Sequence, residues 1–584
     1  MKSSTIHLLP QWLWDNGIRH AILCPGSRSA PLTLAIARSG LMEIFTGVDE
    51  RSAGFAALGL ALGTGRPVVV VCTSGTALLN LGPAVAEAFY LRLPLVILSA
   101  DRPTGYEGQQ RGQVIRQDGA LAHHVRASHR WAPDEPKWDL TSSEKLFKQA
   151  LTTATIECGP VHINIPLDEP LYDIEEQGLF RSVHSSHNED KSPYSPPLLT
   201  PVPVELQNEI LHVLAQGKKI WFLAGMASPD EGVQAILKDI ENLGKSCLWR
   251  EDLANLKVGL PVRDEWFRTS PVDPPELLIS WGGPLVSKHL LLFLHRNPRF
   301  KHWRIDPRGD EIDTYSRLDG VWQASPQFAL KNIKKIFCDF LLEHPSATGL
   351  EVTGFASDES FSAPKPSVMK SENAVLDFDM LMRDRYHNLP FSDLLALSVV
   401  LPFLKNKRVH LGNSSLLRKF LSLPWDKDQI KSIHCNRGTS GIEGSISTAI
   451  GEAWAHPDDS VWILNGDLAT AYDAGAWLLE PRPSVKMVIL NNGGGDIFRQ
   501  LPGASIQPEC ETLFATPRSM DWSPWCQGYG LPHRLTTDLN SLQDGLKWLA
   551  DLVGTGVLEI KTSPFWNRQS EFILCERIEP TCKD

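Results

Sequence analysis

At 584 residues, with 42% apolar and 21% charged side chains, the chain is long enough for several globular domains. The net charge of −11 gives it no overall attraction for a polyanion, so we expect no nucleic acid partner. No apolar run reaches the roughly 20 residues of a membrane helix, and no signal-peptide pattern opens the sequence. Its 10 cysteines form no CxxC pair. We therefore expect a cytoplasmic protein with reduced thiols and no zinc site.

Short apolar runs alternate with stretches of helical length along the whole chain. Continuous apolar strands that alternate with helices favour parallel sheets covered on both faces. The sequence thus predicts an α/β protein made of doubly wound parallel sheets. The clearest predicted strands are residues 44–46, 68–71, 95–98, 161–165, 220–223, 277–279, 408–411, 461–464, 485–490 and 557–560.

Two polar segments interrupt this alternation. Residues 181–203 are rich in Ser and Pro, and residues 344–374 are rich in Ser, Ala and Pro. Such composition is typical of linkers. We predict three α/β domains with the limits 1–180, 204–343 and 375–584, of which the middle one has no cofactor motif and is mainly structural.

Oxygen-bearing side chains follow two predicted strands of the last domain. Gly466-Asp467-Leu468 comes after one strand, and Asn491-Asn492 comes after the next, before the turn Gly493-Gly494-Gly495. Doubly wound sheets bind ligands at this edge. A carboxylate and an amide there suit Mg²⁺, which is commonly shared with a diphosphate. Each piece taken alone is equally typical of an ordinary strand-end turn.

Together the two pieces resemble the GDG…NN motif of thiamine diphosphate enzymes, with Leu468 in place of the last Gly. The resemblance implies thiamine diphosphate with Mg²⁺, or alternatively Mn²⁺, as cofactors. It makes Asp467, Asn492 and Gly494 the metal ligands. Gly466, Leu468 and Gly495 would then lie beside the diphosphate.

A glycine-rich turn near residue 64 raises the alternative of dinucleotide binding. A Rossmann fingerprint follows a strand and opens a helix. Gly63-Thr64-Gly65 has the reverse order, because a helix-like stretch precedes it and the strand 68–71 follows. We interpret it as a helix C-terminus capped by Gly65.

Asp49 and Glu50 precede an Ala- and Gly-rich helix predicted over residues 52–62. Acidic residues at a helix start stabilise the helix dipole and are common for that reason alone. The resemblance to thiamine enzymes adds a catalytic interpretation. Those enzymes need a first-domain glutamate that hydrogen-bonds the aminopyrimidine and promotes deprotonation of the thiazolium carbon. Glu50 is predicted to have this role, with Asp49 as the alternative.

Six motifs in chain order resemble one branch of these enzymes, the MenD-type 2-succinyl-5-enolpyruvyl-6-hydroxy-3-cyclohexene-1-carboxylate synthase family. The middle domain resembles the family only weakly. The family joins 2-oxoglutarate to isochorismate with loss of CO₂, in menaquinone or phylloquinone biosynthesis. It also builds its site between subunits, which implies a homodimer or homotetramer. The motifs are residues 24–32, 49–55, 73–77, 100–103, 436–444 and 494–498.

Both implied substrates are dicarboxylic acids, so the pocket must neutralise carboxylates. The fork of an arginine binds a carboxylate through two hydrogen bonds. A single arginine is more typically a solvated surface charge, but four of them lie in predicted strand-end loops. The substrate-binding residues that the resemblance implies are Arg28, Arg102, Arg418 and Arg437, with Ser27, Gln113 and Ser414 as neutral donors, Gln113 being near the reacting carbonyl.

Other residues are assigned by the same resemblance. Ser440 and Ile442 would contact the cofactor, with Ile442 holding it bent. Ile497 and Phe498 would line the cofactor and substrate pocket. Lys288 would reach the site from the middle domain, followed by His289 where we expect an arginine. Ile442 and Phe498 are also compatible with ordinary core positions.

Two alternatives stay open at this point. Another thiamine-dependent 2-oxoacid decarboxylase or an acetohydroxyacid synthase would share the glutamate and the metal motif, but not residues 24–32 or 436–444. A non-enzymatic subunit would have no chemical need for Glu50, Asp467 and Asn492 together.

Overall fold

The computed structural model describes residues 5–172, 200–269, 273–297, 299–345, 370–518 and 520–575. Most of both predicted linkers, residues 181–199 and 346–369, lies outside them. The predicted α/β class is confirmed, with three sheets of mainly parallel strands. The domain limits stay a prediction. Contacts within the chain divide it into two compact units, Met1–Ser195 with Lys407–Leu417 and His434–Pro564, and Pro196–Asn406 with Arg418–Ile433 and Phe565–Asp584.

The first sheet comes from the N-terminal segment. Its central strands are buried on both faces, which explains their unbroken apolar runs. The strands are β1 (His20–Leu23), β2 (Glu43–Gly47), β3 (Val68–Cys72), β4 (Leu95–Asp101), β5 (Ala127–Arg130) and β6 (Val161–Pro166). The helices are α1 (Leu9–Asp15), α2 (Ala30–Ser39), α3 (Glu50–Thr64), α4 (Thr76–Asn80), α5 (Gly82–Leu91) and α6 (Leu140–Ile156).

The second sheet belongs to the second unit. All its strands are parallel, in the order β9-β8-β7-β10-β11-β12. They are β7 (Ile220–Ala224), β8 (Ser246–Arg250), β9 (Leu260–Pro261), β10 (Leu277–Trp281), β11 (Lys301–Ile305) and β12 (Leu318–Trp322). The helices of this stretch are α7 (Val204–Ala215), α8 (Glu231–Asn242), α9 (Asp264–Thr269), α10 (Lys288–Arg296), α11 (Pro326–Glu343), α12 (Lys370–Tyr386) and α13 (Asp393–Val400).

The third sheet is built from the C-terminal segment, most of which lies in the first unit. Its strands are β13 (Arg408–Leu411), β14 (Ser432–His434), β15 (Val461–Gly466), β17 (Val485–Asn491), β18 (His533–Thr536) and β19 (Gly556–Lys561), while the short β16 (Leu479–Glu480) pairs antiparallel with β2. The helices are α14 (Ser415–Ser422), α15 (Ser445–Ala455), α16 (Asp467–Tyr472), α17 (Asp496–Gln500), α18 (Pro502–Ser505), α19 (Trp522–Gly528), α20 (Leu539–Asp551) and α21 (Pro564–Cys575).

The first and third sheets repeat one topology. Their orders are β2-β1-β3-β4-β6-β5 and β14-β13-β15-β17-β19-β18, with β16 added beside β2. Counted within its own segment, each sheet therefore runs 2-1-3-4-6-5. The order reverses beside the first strand of each sheet, and ligands bind outside the carboxyl ends of strands at such points. The topology thus marks the loops after β1, β3, β13 and β15.

Helices α3 and α15 cross at very short distance. A Cβ on Gly59 would lie 1.8 Å from the carbonyl oxygen of Thr448, and one on Gly451 would lie 1.9 Å from that of Ala56. Both helices contribute to one buried core, in which Phe55 is one of the residues that α3 supplies. Glycine at both positions therefore allows these two helices to approach so closely.

The expected end of the first of these helices is confirmed. Gly65 follows α3 with a φ of +64°, and its N–H donates to the carbonyl of Ala61. In the part of the chain that the structure describes, no helix is long and apolar enough to cross a membrane.

Candidate active site

Glu50 is the first residue of α3, at the carboxyl edge of the first sheet. The preceding Asp49 caps the helix, since its side chain accepts a hydrogen bond of 2.9 Å from the N–H of Arg51. Glu50 Oε2 accepts one from Asn80 Nδ2 at 3.2 Å. The two acidic residues thus differ in role, with Asp49 fixing the backbone while the carboxylate of Glu50 is partly exposed.

The charge of Glu50 affects the pKa values of two nearby cysteines, Cys24 and Cys72. Burial raises the pKa of the Cys24 thiol well above its ordinary value, and the negative charges of Glu50 and Asp49 raise it further. The pKa of Cys72 is raised in the same way by burial, by Cys24 and by Glu50. Both thiols therefore stay protonated, and the surroundings of Glu50 gain no extra negative charge from them.

The two predicted pieces of the metal motif meet. Asp467 is the first residue of α16 and is 2% exposed. Its Oδ2 accepts a hydrogen bond of 2.8 Å from the N–H of Gly494, and its Oδ1 accepts one of 2.8 Å from Leu468. Asn492 is 4% exposed beside this turn. The carboxylate after β15 and the glycine turn after β17 thus form one cluster.

Gly494 can only be glycine in this cluster. Its φ is +127°, and a Cβ there would lie 2.5 Å from the carbonyl oxygen of Ala515. The preceding Gly493 also has a positive φ, of +74°. The backbone polar groups of Gly493 and Gly494 therefore lie close to the Asp467 carboxylate, and no side chain of the turn covers them.

Sequence reasoning missed the residue that supports this turn. Arg499 on α17 is 7% exposed and donates to both carboxylate oxygens of Glu511 at 2.9 Å. Its Nη2 also contacts the carbonyl of Gly493 at 3.4 Å. The pKa of Arg499 is raised, chiefly by its hydrogen bond with Glu511. Arg499 directly follows the motif 494–498, but its contact with Glu511 could not be predicted from that position.

A cavity of about 280 Å³ at the edge of the first sheet contains Arg28 and Arg102. Arg28 is 5% exposed and donates to the carbonyl of Leu167 at 3.0 Å and to Glu169 at 3.4 Å. Burial lowers its pKa, and the positive charge of Arg102 lowers it further. Ser27 lies exposed on the same loop. Two predicted substrate arginines therefore share one cavity.

Gln113 adjoins the loop that follows β3. It has a φ of +57°, and Gly75 lies beside it, since a Cβ on Gly75 would be 3.4 Å from the Cα of Gln113. Gln117, which sequence reasoning passed over, is fully buried and accepts a hydrogen bond of 2.7 Å from Gly75. Its amide donates to Asn164 at 2.9 Å. Gln117 therefore holds the loop that carries Gln113 against the sheet.

Asn413 organises the loop after β13. Its Nδ2 donates to the carbonyls of Asn436 at 2.6 Å and Gly441 at 2.7 Å. Its Oδ1 accepts from Arg437 Nη1 at 3.1 Å. The neighbouring Ser414, a predicted substrate residue, has a φ of +78°. Asn413 is a third residue missed at the sequence level, although it lies in the same short motif.

Glu87 on α5 anchors the predicted cofactor loop 436–444. Its carboxylate accepts hydrogen bonds from the N–H groups of Gly438 at 2.7 Å and Thr439 at 2.6 Å. Burial raises the pKa of Glu87. Ser440 follows with a φ of +62°, and Ile442 is partly exposed. The first and third segments of the chain thus meet at this loop.

Ile497 and Phe498 lie on α17, directly after the glycine turn. Both are partly exposed, and the ring of Phe498 is 5.8 Å from that of Phe514. They closely follow Gly495 in the chain, and their role as the wall of a pocket stays a prediction.

Comparison with known proteins decides the family. Residues 4–121 match the family model described as "Thiamine pyrophosphate enzyme, N-terminal TPP binding domain". A 2-succinyl-5-enolpyruvyl-6-hydroxy-3-cyclohexene-1-carboxylate synthase of Desulfotalea psychrophila is 35% identical over 94% of this chain and 96% of its own length. Synthases of the same name are 32% identical in Porphyromonas gingivalis, over 94% and 93% of the two chains, and in Cytophaga hutchinsonii, over 97% of both.

The chain belongs to the 2-succinyl-5-enolpyruvyl-6-hydroxy-3-cyclohexene-1-carboxylate synthase family. The resemblance predicted from the motifs is confirmed, and the similarity also includes the second unit, where the motifs were weak. As a member of this synthase family, the protein is a thiamine diphosphate-dependent enzyme.

The residues around Asp467 fit the diphosphate and metal of that cofactor. Their donor set is a carboxylate, the amide of Asn492 and the backbone of Gly494, and oxygen donors of this kind suit a hard cation. The side-chain-free turn at Gly493 and Gly494 leaves room for a phosphate to approach the backbone.

Three predicted site residues of the synthase belong to α10 and α14. Lys288 and Arg418 are exposed, and their roles stay predictions. His289, which stands where we expect an arginine, has a partner of its own. Its ring Nδ1 lies 2.7 Å from Asp264 Oδ2, and its backbone N–H donates to Asp264 Oδ1 at 2.8 Å.

Proposed function

We propose that this synthase decarboxylates 2-oxoglutarate and adds the remaining four-carbon unit to isochorismate. The product is 2-succinyl-5-enolpyruvyl-6-hydroxy-3-cyclohexene-1-carboxylate, an intermediate of menaquinone or phylloquinone biosynthesis. The observation that carries the proposal is that Glu50, the Asp467 cluster and an arginine-lined cavity each lie at the carboxyl edge of one of two sheets with the same topology. Relatives of that name over nearly the whole length support it.

Glu50 prepares the cofactor in this proposal. When bound, thiamine diphosphate would supply the nucleophilic carbon and would accept the electron pair that stays on the substrate when CO₂ leaves. Glu50 holds a hydrogen bond to the aminopyrimidine ring, and Asn80 orients the carboxylate through its contact of 3.2 Å. The capping by Asp49 keeps Glu50 at the helix start.

We infer that Asp467, Asn492 and the carbonyl of Gly494 hold Mg²⁺, with Mn²⁺ as an alternative. The N–H of Gly494 orients the Asp467 carboxylate toward this position. Replacing Asp467 by Ala removes the charged ligand, so calorimetry should register a large loss of Mg²⁺-dependent thiamine diphosphate binding. Asp458→Ala, an exposed change outside the cluster, is the matched control. Unchanged affinity in Asp467→Ala would contradict the metal site.

The basic residues divide between the two substrates in this proposal. Arg437 takes 2-oxoglutarate and Arg28 takes isochorismate, with Gln113 beside the reacting carbonyl, while the assignment of Arg418 to 2-oxoglutarate and of Lys288 to isochorismate stays an expectation from the resemblance. Ser27, Arg102 and Ser414 add donors to the same pockets. Each Arg→Ala change should raise the KM of one substrate by a factor of roughly 10 to 150, which corresponds to the loss of about 1.5–3 kcal/mol from one charged hydrogen bond.

We further propose that a second copy of the chain covers the surroundings of Glu50. Large apolar side chains are exposed there, since Val48 is 62% and Leu79 is 48% exposed. Tyr472, whose carbonyl accepts a hydrogen bond from Arg51, is 50% exposed. Exposed apolar side chains grouped around a ligand site favour a protein interface.

The rate of CO₂ release tests the synthase against a simple decarboxylase. The holoenzyme should release CO₂ from 2-oxoglutarate slowly alone and much faster when isochorismate is added, because the second substrate removes the four-carbon unit. If isochorismate never changes the rate, the synthase proposal fails and the decarboxylase alternative replaces it.

A further inference from the structure

The cavity that holds Arg28 and Arg102 has a third arginine, which no motif of the family predicted. Arg111 lines it together with Tyr106 and Gly112, on the segment between β4 and β5. Asp168 and Glu169 lie at the same cavity, and Glu169 is 3.4 Å from Arg28. The lining therefore has three positive and two negative side chains, and an anion would improve its charge balance.

The two inner arginines retain unused donors. The Nε of Arg28 and the Nε of Arg102 are both buried and have no hydrogen-bond partner among the described residues. Arg28 as a whole is 5% exposed. A buried donor without a hydrogen-bond partner destabilises the protein, and a bound acceptor would remove this penalty. Carboxylate oxygens are acceptors of the right charge for this position.

Arg111 is held in place although its side chain is exposed. Its guanidinium lies over the ring of Tyr106, 3.8 Å from the ring centroid. Two backbone hydrogen bonds stabilise the turns around Tyr106. The N–H of Tyr106 donates to the carbonyl of Pro103 at 3.3 Å, and the N–H of Gln109 donates to the carbonyl of Tyr106 at 3.2 Å. Stacking of this kind limits the rotamers of arginine, so less entropy is lost when a ligand binds.

We propose that Arg111, positioned by Tyr106, is a specificity-determining residue that binds a carboxylate of the second substrate, a cyclic dicarboxylic acid. This inference rests on the proposed function. Arg28 and Arg102 bind one end of the acid from inside the cavity, and Arg111 closes over the other end. A decarboxylase with a single small oxoacid would have no use for this third arginine.

The test compares variants of the holoenzyme by steady-state kinetics, with each substrate varied in turn. Arg111→Ala should raise the KM for isochorismate about ten-fold, the expected effect of losing one charged hydrogen bond at a partly exposed site. The KM for 2-oxoglutarate and kcat should stay within about two-fold of wild type. Arg111→Lys should recover only part of the loss, because an ammonium group cannot form the bidentate contact.

Two further variants separate the positioning role from a change in overall charge. Tyr106→Leu should raise the same KM by a smaller factor, since Arg111 keeps its charge but loses its stack. Arg38→Ala removes an equal charge from the exposed end of α2 and should change neither KM. An unchanged KM for isochorismate in Arg111→Ala, or an equal rise for both substrates, would overturn the inference. If the wild-type enzyme forms no product from the two substrates, the proposed function itself fails instead.

Discussion

Glu50 and Asp467 occupy equivalent places, since each is the first residue of a helix at the carboxyl edge of a sheet. The positive end of the helix lowers the cost of holding a carboxylate there. The loop position also keeps each carboxylate within reach of a ligand at the sheet edge. Two carboxylate side chains of different proposed purpose are thus placed by the same local arrangement.

Replacing Glu50 by Gln should leave the fold and cofactor binding intact while kcat falls by a factor of about 100 or more. The amide keeps the shape of the side chain but is a far weaker acceptor for the pyrimidine proton. Asp49→Asn is the control, because Asn caps helices as well as Asp. Turnover near that of wild type in Glu50→Gln would assign the catalytic role to Asp49.

Asp473 gives a pH dependence of stability. Burial raises its pKa from 3.8 to about 6, although hydrogen bonds from Ser447 oppose the rise. Between these two pH values the folded state keeps a proton that the unfolded state has lost, so this contribution to stability falls as pH rises. In Asp473→Asn the penalty is absent. The Tm of this variant minus that of wild type should therefore increase from about pH 4 to about pH 7.

The exposed Asp458→Asn variant is the control, and its Tm difference should be flat over the same range. A difference for Asp473→Asn that is independent of pH, or that decreases as pH rises, would contradict the assignment.

The residues that sequence reasoning selected and those it missed differ in where their partners lie. Asp467 and Glu50 stand beside apolar strands and within recognisable motifs, so local sequence was enough to select them as candidates. Gln117 acts on Gly75, 42 residues away, and Glu87 acts on Gly438, 351 residues away. Such supporting contacts depend on the tertiary fold, and no local sequence pattern predicts them.

Among the secondary structure elements, the crossing of α3 and α15 is the most demanding. The backbone of each helix lies against a glycine of the other, so the approach tolerates no side chain at either position. Because α3 begins at Glu50 and α15 follows the loop 436–444, the crossing links two parts of the candidate site.

Gly59→Ala should lower the stability of the protein, although Ala normally favours a helix by about 1 kcal/mol over Gly. The new Cβ would meet the Thr448 carbonyl at 1.8 Å, and backbone cannot move aside as a side chain can. We expect a net loss of about 2 kcal/mol or more in the free energy of unfolding, measured by denaturant titration. Gly82→Ala, at the start of α5 with no atom within 4 Å of its Cβ, should be neutral or stabilising. An equal effect of the two substitutions would contradict the close crossing.

Element prediction succeeded for the longest buried strands, but it left out the interior strands β1, β8 and β11 as well as the edge strands β5, β9, β12, β14 and β18. β3, β4, β6, β15 and β17 are buried almost throughout, and their apolar runs were plain in the sequence. The edge strands β5, β9 and β18 are short and largely exposed or half-buried, so they lack such runs. Sheet order also depends on pairing between distant segments, which periodicity does not encode.

At the scale of the whole molecule, the proposed sharing of a site between two copies can be tested by mixing. Glu50→Gln and Asp467→Ala should each be inactive alone. If each site takes Glu50 from one copy and Asp467 from the other, mixed dimers contain one intact site. Unfolding and refolding the two variants together should then restore about a quarter of wild-type activity, given random pairing of a dimer. No recovery, although light scattering registers dimers, would place the whole site within one chain.

The most direct test of the central claim is the identity of the product. The holoenzyme, with Mg²⁺, thiamine diphosphate, isochorismate and 2-oxoglutarate labelled with ¹³C outside its carboxyl group C1, is analysed by mass spectrometry. The synthase predicts one adduct that contains the intact carbon skeleton of isochorismate and the labelled four-carbon unit. Labelled four-carbon aldehyde with unchanged isochorismate would contradict the account and leave only a 2-oxoacid decarboxylase.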